Sequence, residues 1–279
     1  MSHETAWPGG LVAAIEEANV NAFPSAMAHF DGRWMLRLSP GNPARRVNSL
    51  NIYDASDDAD AGDRLAAAQA LFASHGVPFH LRRTPLTPAA VLDLCDRRGW
   101  PQAGRSDVWA RRIADAPACG VAAADAAGAT IQTTDLASWL TAFAETGGTR
   151  PETVTPVALE QLGSALSRVA SPRVCLVARD EAGRASGVAV AIADRGLLGI
   201  YDVAVAPGAR RQGLGARLVE ACLAAGRAAG ADTAWLQVTA ENGPARALYA
   251  GLGFSHVYDY AYRHPPAGDA KPVRSPEVA

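Results

Sequence analysis

The segment Val203-Ala-Val-Ala-Pro-Gly-Ala-Arg-Arg-Gln-Gly-Leu-Gly-Ala216 constrains the chain more than any other, because an apolar strand passes through a glycine-bearing turn straight into a helix. The first N–H groups of a helix have no intrahelical acceptors, and this connection converges them on one point. The helix dipole adds positive potential there, so the segment is an anion site by construction. Gly213 and Gly215 let the main chain approach a phosphate closely, and Arg210 and Arg211 offer charge-assisted hydrogen bonds to a pyrophosphate. The segment has neither G-K-[ST] nor G-x-G-x-x-G, so it is not a Walker loop or a dinucleotide fingerprint. A plain strand-to-helix turn with solvated arginines is the competing reading.

Around it, periodicity predicts strands at 173–179 and 187–193 joined by the turn-like Asp180–Arg184, and a third strand at 197–205. Leu218, Val219, Cys222 and Ala225 share one face of a helix over 215–229 that Gly230 closes. A strand at 234–239, a short helix from Pro244 ended by Gly251, and a strand at 254–263 follow. Upstream lie a strand at 130–133 and helices at 135–145 and 157–169, which gives an α+β domain with a mixed sheet.

This run resembles the GNAT superfamily of acyl-CoA N-acyltransferases. Arg210-Arg-Gln-Gly-Leu-Gly215 meets its [RQ]-x-x-G-x-[GA] signature, Val205-Ala-Pro207 its V-x-P, Asn242–Tyr249 its N-x-x-A-x-x-L-Y, and Gly253-Phe254 its closing G-F. The resemblance covers roughly residues 130–264. It implies a three-layer GNAT fold, a mixed and mostly antiparallel sheet flanked by helices, and acetyl-CoA as the acyl-donor substrate. Backbone groups of Val203, Ala204 and Val205 would bind the pantetheine and acetyl carbonyl. Amides of Arg210, Arg211, Gln212, Gly213, Leu214, Gly215 and Ala216 would hold the pyrophosphate.

The resemblance implies an N-acetyltransferase working by direct attack of a primary amine of a small molecule, peptide or protein. Tyr249 matches the family tyrosine near the CoA sulfur and becomes the candidate general acid; a helix tyrosine packed on the sheet is the alternative. Asn242 would contact the cofactor, cap its helix, or do both. An ammonium with a pKa of about 8 to 10 must lose a proton before attacking, and Asp202 on the cofactor strand is the nearby carboxylate. Strand alternation could equally turn Asp202 into a salt bridge. An acyl-CoA-binding sensor and a transferase for longer acyl-CoA are the competing functions.

The first half shows a weak repeat of the second. Gly76 and Gly230, and Gly99 and Gly253, each close corresponding helices at an offset of 154 (230 − 76 and 253 − 99). Strands at 34–38, 47–53, 78–83 and 107–113 and helices at 63–74 and 88–97 complete the parallel. Its counterpart of the phosphate loop, Asp54–Asp63, holds five aspartates and no arginine, and Cys95 stands near the place of Tyr249. Residues 1–118 are therefore expected to be a degenerate GNAT-like lobe, 119–129 a linker, 130–264 the catalytic domain and 265–279 a disordered tail.

With 279 residues, 49% of them hydrophobic, and a formal net charge of −2, the chain has no general attraction to nucleic acid or membrane. The N-terminus lacks a signal-peptide pattern, so a cytoplasmic location is expected. Four scattered cysteines without a C-x-x-C pair imply core packing rather than disulfides or metal, and none is expected to bind zinc. A two-lobed chain of this kind is expected to be a monomer or homodimer.

Overall fold

The computed structural model describes Trp7, residues 10–114 and residues 128–266. The expected linker falls outside the described residues up to 127, as do Cys119 and the tail from 267. In chain order the first elements are α1 (Leu11–Ala22), β1 (Met27–Asp31), β2 (Trp34–Leu38), β3 (Ser49–Ile52), α2 (Ala61–Ser74), β4 (Leu81–Arg83), α3 (Ala89–Arg97) and β5 (Gln102–Arg112). There follow β6 (Thr130–Thr134), α4 (Leu136–Glu145), α5 (Pro156–Ser167), β7 (Arg173–Arg179), β8 (Ala185–Asp194) and β9 (Leu197–Val205). The last are α6 (Leu214–Ala228), β10 (Thr233–Thr239), α7 (Gly243–Gly251) and β11 (Ser255–Arg263). Among the described residues no helix is long and apolar enough to cross a membrane.

The chain forms two compact units that interleave in sequence. One takes Glu17–Pro24 and the described part of Val108–Val257; the other takes Ser25–Asp107 with the described residues of Gly9–Glu16 and of Tyr258–Ala279.

In the first unit the strand order is β5-β10-β9-β8-β7-β6, antiparallel from β6 to β9 and parallel between β9 and β10. Leu214, Leu218, Val219, Cys222 and Leu223 of α6 share a buried core with Leu198, Ile200, Leu236 and Val238. Each such leucine contributes on the order of 2 kcal/mol by leaving water. On α4, Trp139 stacks on Phe143 with ring centroids 5.1 Å apart and donates its indole N–H to the Ala189 carbonyl of β8 at 3.0 Å. That bond satisfies a polar group that burial would otherwise penalise.

In the second unit the order is β1-β2-β3-β4-β11. Leu65 and Phe72 of α2 and Val91 and Cys95 of α3 pack on Trp34, Leu36, Leu50, Ile52 and Leu81. The same unit buries an ion pair: Arg82 donates through Nε and Nη2 to Glu16 at 2.7 and 2.8 Å, and the Tyr258 hydroxyl donates to Glu16 at 2.5 Å. The Arg82 guanidinium lies over the Tyr260 ring, 3.5 Å from its centroid.

The repeat read from two glycine pairs is present in the turns themselves. Val77 N–H bonds Phe72 carbonyl at the end of α2, and Ala231 N–H bonds Gly226 carbonyl at the end of α6, an offset of 154 at both ends (231 − 77 and 226 − 72). The bonds from Trp100 to Cys95 and from Phe254 to Tyr249 repeat that offset. All four closing glycines, Gly76, Gly99, Gly230 and Gly253, take positive φ between 64° and 80°, which explains why glycine stands at each. The α+β architecture agrees with the sequence expectation. The helix α1 and the strand β1 were not anticipated, and β5 begins at Gln102 rather than Asp107.

Candidate active site

The central feature of the site is a defect in β9. Val188 of β8 faces Ala204 and Val190 faces Tyr201, so two steps along β8 match three along β9, and the extra residue makes a bulge. Asp202 sits inside it with φ 49°, a left-handed conformation that L-residues other than Asn, Asp and His seldom adopt. The bulge shifts side-chain alternation. Leu198 and Ile200 face the α6 core before it, and Val203 and Val205 do so after it. The expectation that Asp202 lies on the cofactor strand thus acquires a conformation that alternation could not supply.

On the other side of β9 the parallel ladder runs from Thr233–Leu197 to Leu236–Ile200. Beyond it β9 continues to Val205 and β10 to Thr239 without pairing to one another. The two strands therefore part beside the bulge, and Val203, Ala204 and Val205 line one side of the gap.

The turn after β9 leads to the start of α6 as the sequence reading required, with the helix beginning at Leu214 and Gly213 as its N-cap. Gly213 has φ 79°, and among the described residues no side chain caps the helix. The N–H groups of Leu214, Gly215 and Ala216 are therefore left for an external acceptor. A Cβ built on Gly213 meets nothing within 4 Å, so glycine is demanded there by its dihedral rather than by crowding from the protein. At Gly215 a Cβ would come 3.3 Å from the Leu248 side chain, a packing reason for the second glycine. Arg211 is also left-handed, at φ 63°. Arg210 folds back to donate through Nε to the Val205 carbonyl at 3.0 Å, and Gln212 donates to the Gly208 carbonyl at 3.1 Å. All three of these polar side chains are exposed.

Tyr249 is 8% exposed and belongs to the α6-side core, against which Val203 and Val205 also pack. Burial, with a smaller contribution from the nearby Cys222, pushes its phenol up to about 12. Cys222 is itself fully buried and raised to about 12 by burial, which makes it inert as a nucleophile. Asn242 is exposed and caps α7, its Oδ1 accepting from Ala245 N–H at 3.1 Å. In the loop between α4 and α5, Arg150 and Glu152 pair with each other at 2.9 Å on the surface.

The residues that the sequence reading did not single out stand at the end of the ladder. Tyr201 and Gln237 directly follow Ile200 and Leu236, whose side chains face the α6 core, so they point to the opposite face. There Gln237 donates to Asn19 Oδ1 at 2.8 Å, and Tyr201 packs edge-on against Phe23 and Trp235 with centroids 5.0 and 5.6 Å away. No local signal in α1 announces this, because Asn19 and Phe23 meet their partners some two hundred residues away.

The corresponding loop of the second unit, between β3 and α2, is turned on itself. Asp57 accepts from the Arg33 N–H at 2.8 Å and from Arg64 at 2.7 Å, and the Arg64 guanidinium hydrogen bonds hold its carboxyl below the usual range. Asp54 caps Ser56 at 2.7 and 2.9 Å, and Asp60 is the left-handed N-cap of α2 with φ 52°. Cys95 is buried on α3 with its thiol raised to about 11 by burial.

The sequence profile of the acetyltransferase (GNAT) family matches residues 135–254. A curated relative, the [ribosomal protein bS18]-alanine N-acetyltransferase of Escherichia coli strain K12, is 43% identical over 58 residues. That match spans 21% of this chain and 39% of the relative's length. Among solved structures, a GCN5-related N-acetyltransferase from Kribbella flavida superposes with a TM-score of 0.71 at 18% identity, covering 94% of this chain and 98% of that one. A tandem GNAT protein from the clavulanic acid biosynthesis pathway gives a TM-score of 0.66 at 15% identity over 93% and 90% of the two chains. At these identities the likeness is one of fold.

Proposed function

Residues 135–254 are a domain of the acetyltransferase (GNAT) family, and from that premise we propose that the chain transfers acetyl from acetyl-CoA to a primary amine by direct attack. The observation that carries this reading is the parting of β9 and β10 at the Asp202 bulge beside the uncapped start of α6. An uncapped helix start accepts a diphosphate, and main-chain N–H groups along the gap beside it would polarise a thioester carbonyl.

When bound, acetyl-CoA supplies an activated acyl group. The amides of residues 210–216 hold its pyrophosphate, with Arg210 and Arg211 as mobile cations. Main-chain groups of Val203, Ala204 and Val205 orient the thioester and polarise its carbonyl. Asp202 takes the first proton of the acceptor ammonium, the amine nitrogen forms its bond to the acyl carbon, the carbon–sulfur bond breaks, and the second nitrogen proton passes to water as the neutral amide forms. Tyr249 donates a hydrogen bond to the departing sulfur, which leaves as thiolate and is finally protonated from solvent. With its own pKa near 12 against about 8.5 for a thiol, Tyr249 keeps its proton through this step. Asn242 stays a helix cap and touches the cofactor from the surface.

The division of labour follows the repeat. Residues 130–264 carry the catalytic lobe and residues 1–118 a degenerate one, in which carboxylates and Arg64 occupy the loop where a diphosphate would sit. The test is calorimetry with CoA and acetyl-CoA together with CoA release over a panel of amines, amino acid amides and peptides, including alanine N-termini like the one named for the curated relative. Micromolar binding and amine-dependent CoA release are expected. Absence of CoA binding would overturn the proposal.

A further inference from the structure

We propose that the corner around Tyr262 in the second unit binds a small multivalent oxyanion, one that carries at least two phosphate or carboxylate charges. The sheet of that unit has two unlike faces. Leu50 and Leu81, opposite one another on β3 and β4, face the apolar core beneath α2 and α3. The next residues, Asn51 and Arg82, pair across the same strands and so lie on the other face, where Arg82 in turn stands opposite Tyr262 of β11. Arg37 of β2, opposite Ser49, alternates with the core residues Leu36 and Leu38 and belongs to that face as well.

Cations gather there. The Arg45 guanidinium lies 5.8 Å from the centroid of the Tyr262 ring, that of Arg82 lies 6.0 Å away, and the His80 ring 6.1 Å. His264 adjoins His80 with ring centroids 6.0 Å apart. Arg45 and Arg46 are exposed, the two histidines are half-buried, and Tyr262, Arg37 and Arg82 are buried, so the cluster runs from solvent into the interior. The single negative charge of Glu16 acts on both buried guanidiniums, and Glu16 already accepts two hydrogen bonds from Arg82 and one from Tyr258. Like charges gathered where water is excluded repel one another strongly. The neighbours register this: burial, reinforced by Arg45 and His264, pushes the His80 imidazole down to about 4. An oxyanion with two or more charges offsets that field, and arginine forks match its oxygens in pairs. Gly104 leaves room for one such fork, since it takes φ 64° and a Cβ on it would lie 2.8 Å from Arg45 Nη1.

The experiment is calorimetry of the full chain with sodium pyrophosphate, citrate and acetate, each in the absence and presence of saturating CoA. Submillimolar binding of pyrophosphate or citrate that persists with CoA is expected, with none for acetate. Tighter binding of pyrophosphate would mark the ligand as phosphate-bearing, and tighter binding of citrate as a polycarboxylate. Arg45→Gln and Arg46→Gln, both at exposed positions, should each weaken the Kd about tenfold, the loss of a charge-assisted hydrogen bond. The imidazole NMR signals of His80 and His264 should shift on titration of the wild-type chain. Binding that CoA abolishes and that both variants leave unchanged would place the anion at the 210–216 loop and overturn the proposal, as would no binding of either polyanion at 10 mM, a round concentration about tenfold above the expected Kd range. All the residues named lie outside 135–254, so either failure leaves the transferase reading intact.

Discussion

Burial holds the Tyr249 phenol near 12, so it is a hydrogen-bond donor at every pH where the protein is used. Tyr249→Phe should therefore lower kcat by about one to two orders of magnitude, the loss of one hydrogen-bond donor to developing negative charge, with the CoA Kd changed less than about twofold. A pure acyl-CoA sensor would bind identically and have no kcat to lose. The pH profile separates Tyr249 from Asp202. No activity loss below about pH 10 should trace to the tyrosine, because its raised pKa keeps it neutral there. Asp202→Asn should lose about a hundredfold at pH 7, and the deficit should shrink toward pH 10 as the acceptor amine deprotonates unaided. Asparagine tolerates the left-handed φ of 49°, so unfolding in urea should be unchanged. A deficit constant across pH would assign Asp202 to the bulge alone. Sequence could name Tyr249 and Asp202 because they sit in or beside motif positions. It could not show that Asp202 makes the bulge, since no glycine or proline marks the place.

Elements were legible where periodicity and punctuation agree. The strand β7 matches its expected limits, and the α6 face of Leu218, Val219 and Cys222 is buried as its spacing required. The motif turn was legible for the same reason, since Gly213 must supply φ 79°. The edge strand β1 escaped because four of its five residues are exposed and carry no alternation to read. The end of the β9–β10 ladder escaped too, being a matter of pairing between strands rather than of either strand's composition. Packing between α6 and β9 gives a prediction at this scale. A Cβ on Gly226 would overlap the methyl carbons of Leu198, which is 1% exposed. Alanine there gains about 1 kcal/mol in helix propensity and loses about 1 to 3 by overpacking. Gly226→Ala should thus be neutral to destabilising by up to about 2 kcal/mol in urea unfolding. Clear stabilisation would show that β9 yields, and with it the gap beside the bulge.

At the scale of the whole chain, the two compact units interleave in sequence, so the division expected at residues 119–129 is not where the structure divides. The unit holding the site takes Glu17–Pro24 and the strand residues from Val108, while the other takes the chain from Tyr258 onward. That second unit depends on what it receives. Tyr258 donates to Glu16, Glu16 neutralises the fully buried Arg82, and Ala261–Arg263 pair with β4. Removing one partner of such a pair leaves a buried charge uncompensated, at a cost of about 3 to 5 kcal/mol. Glu16→Gln should therefore destabilise the chain by about that much, whereas surface pairs such as Arg150 with Glu152 should contribute less than about 1 kcal/mol. The same interleaving predicts the fate of the isolated halves. A fragment of residues 130–264 lacks Asn19, Phe23 and the 108–112 strand, and it carries a β11 whose partner β4 is absent. Expressed alone it should be insoluble or bind CoA at least about tenfold more weakly than the whole chain. Soluble expression of that fragment with full CoA affinity would show that the first half contributes nothing to folding of the CoA site.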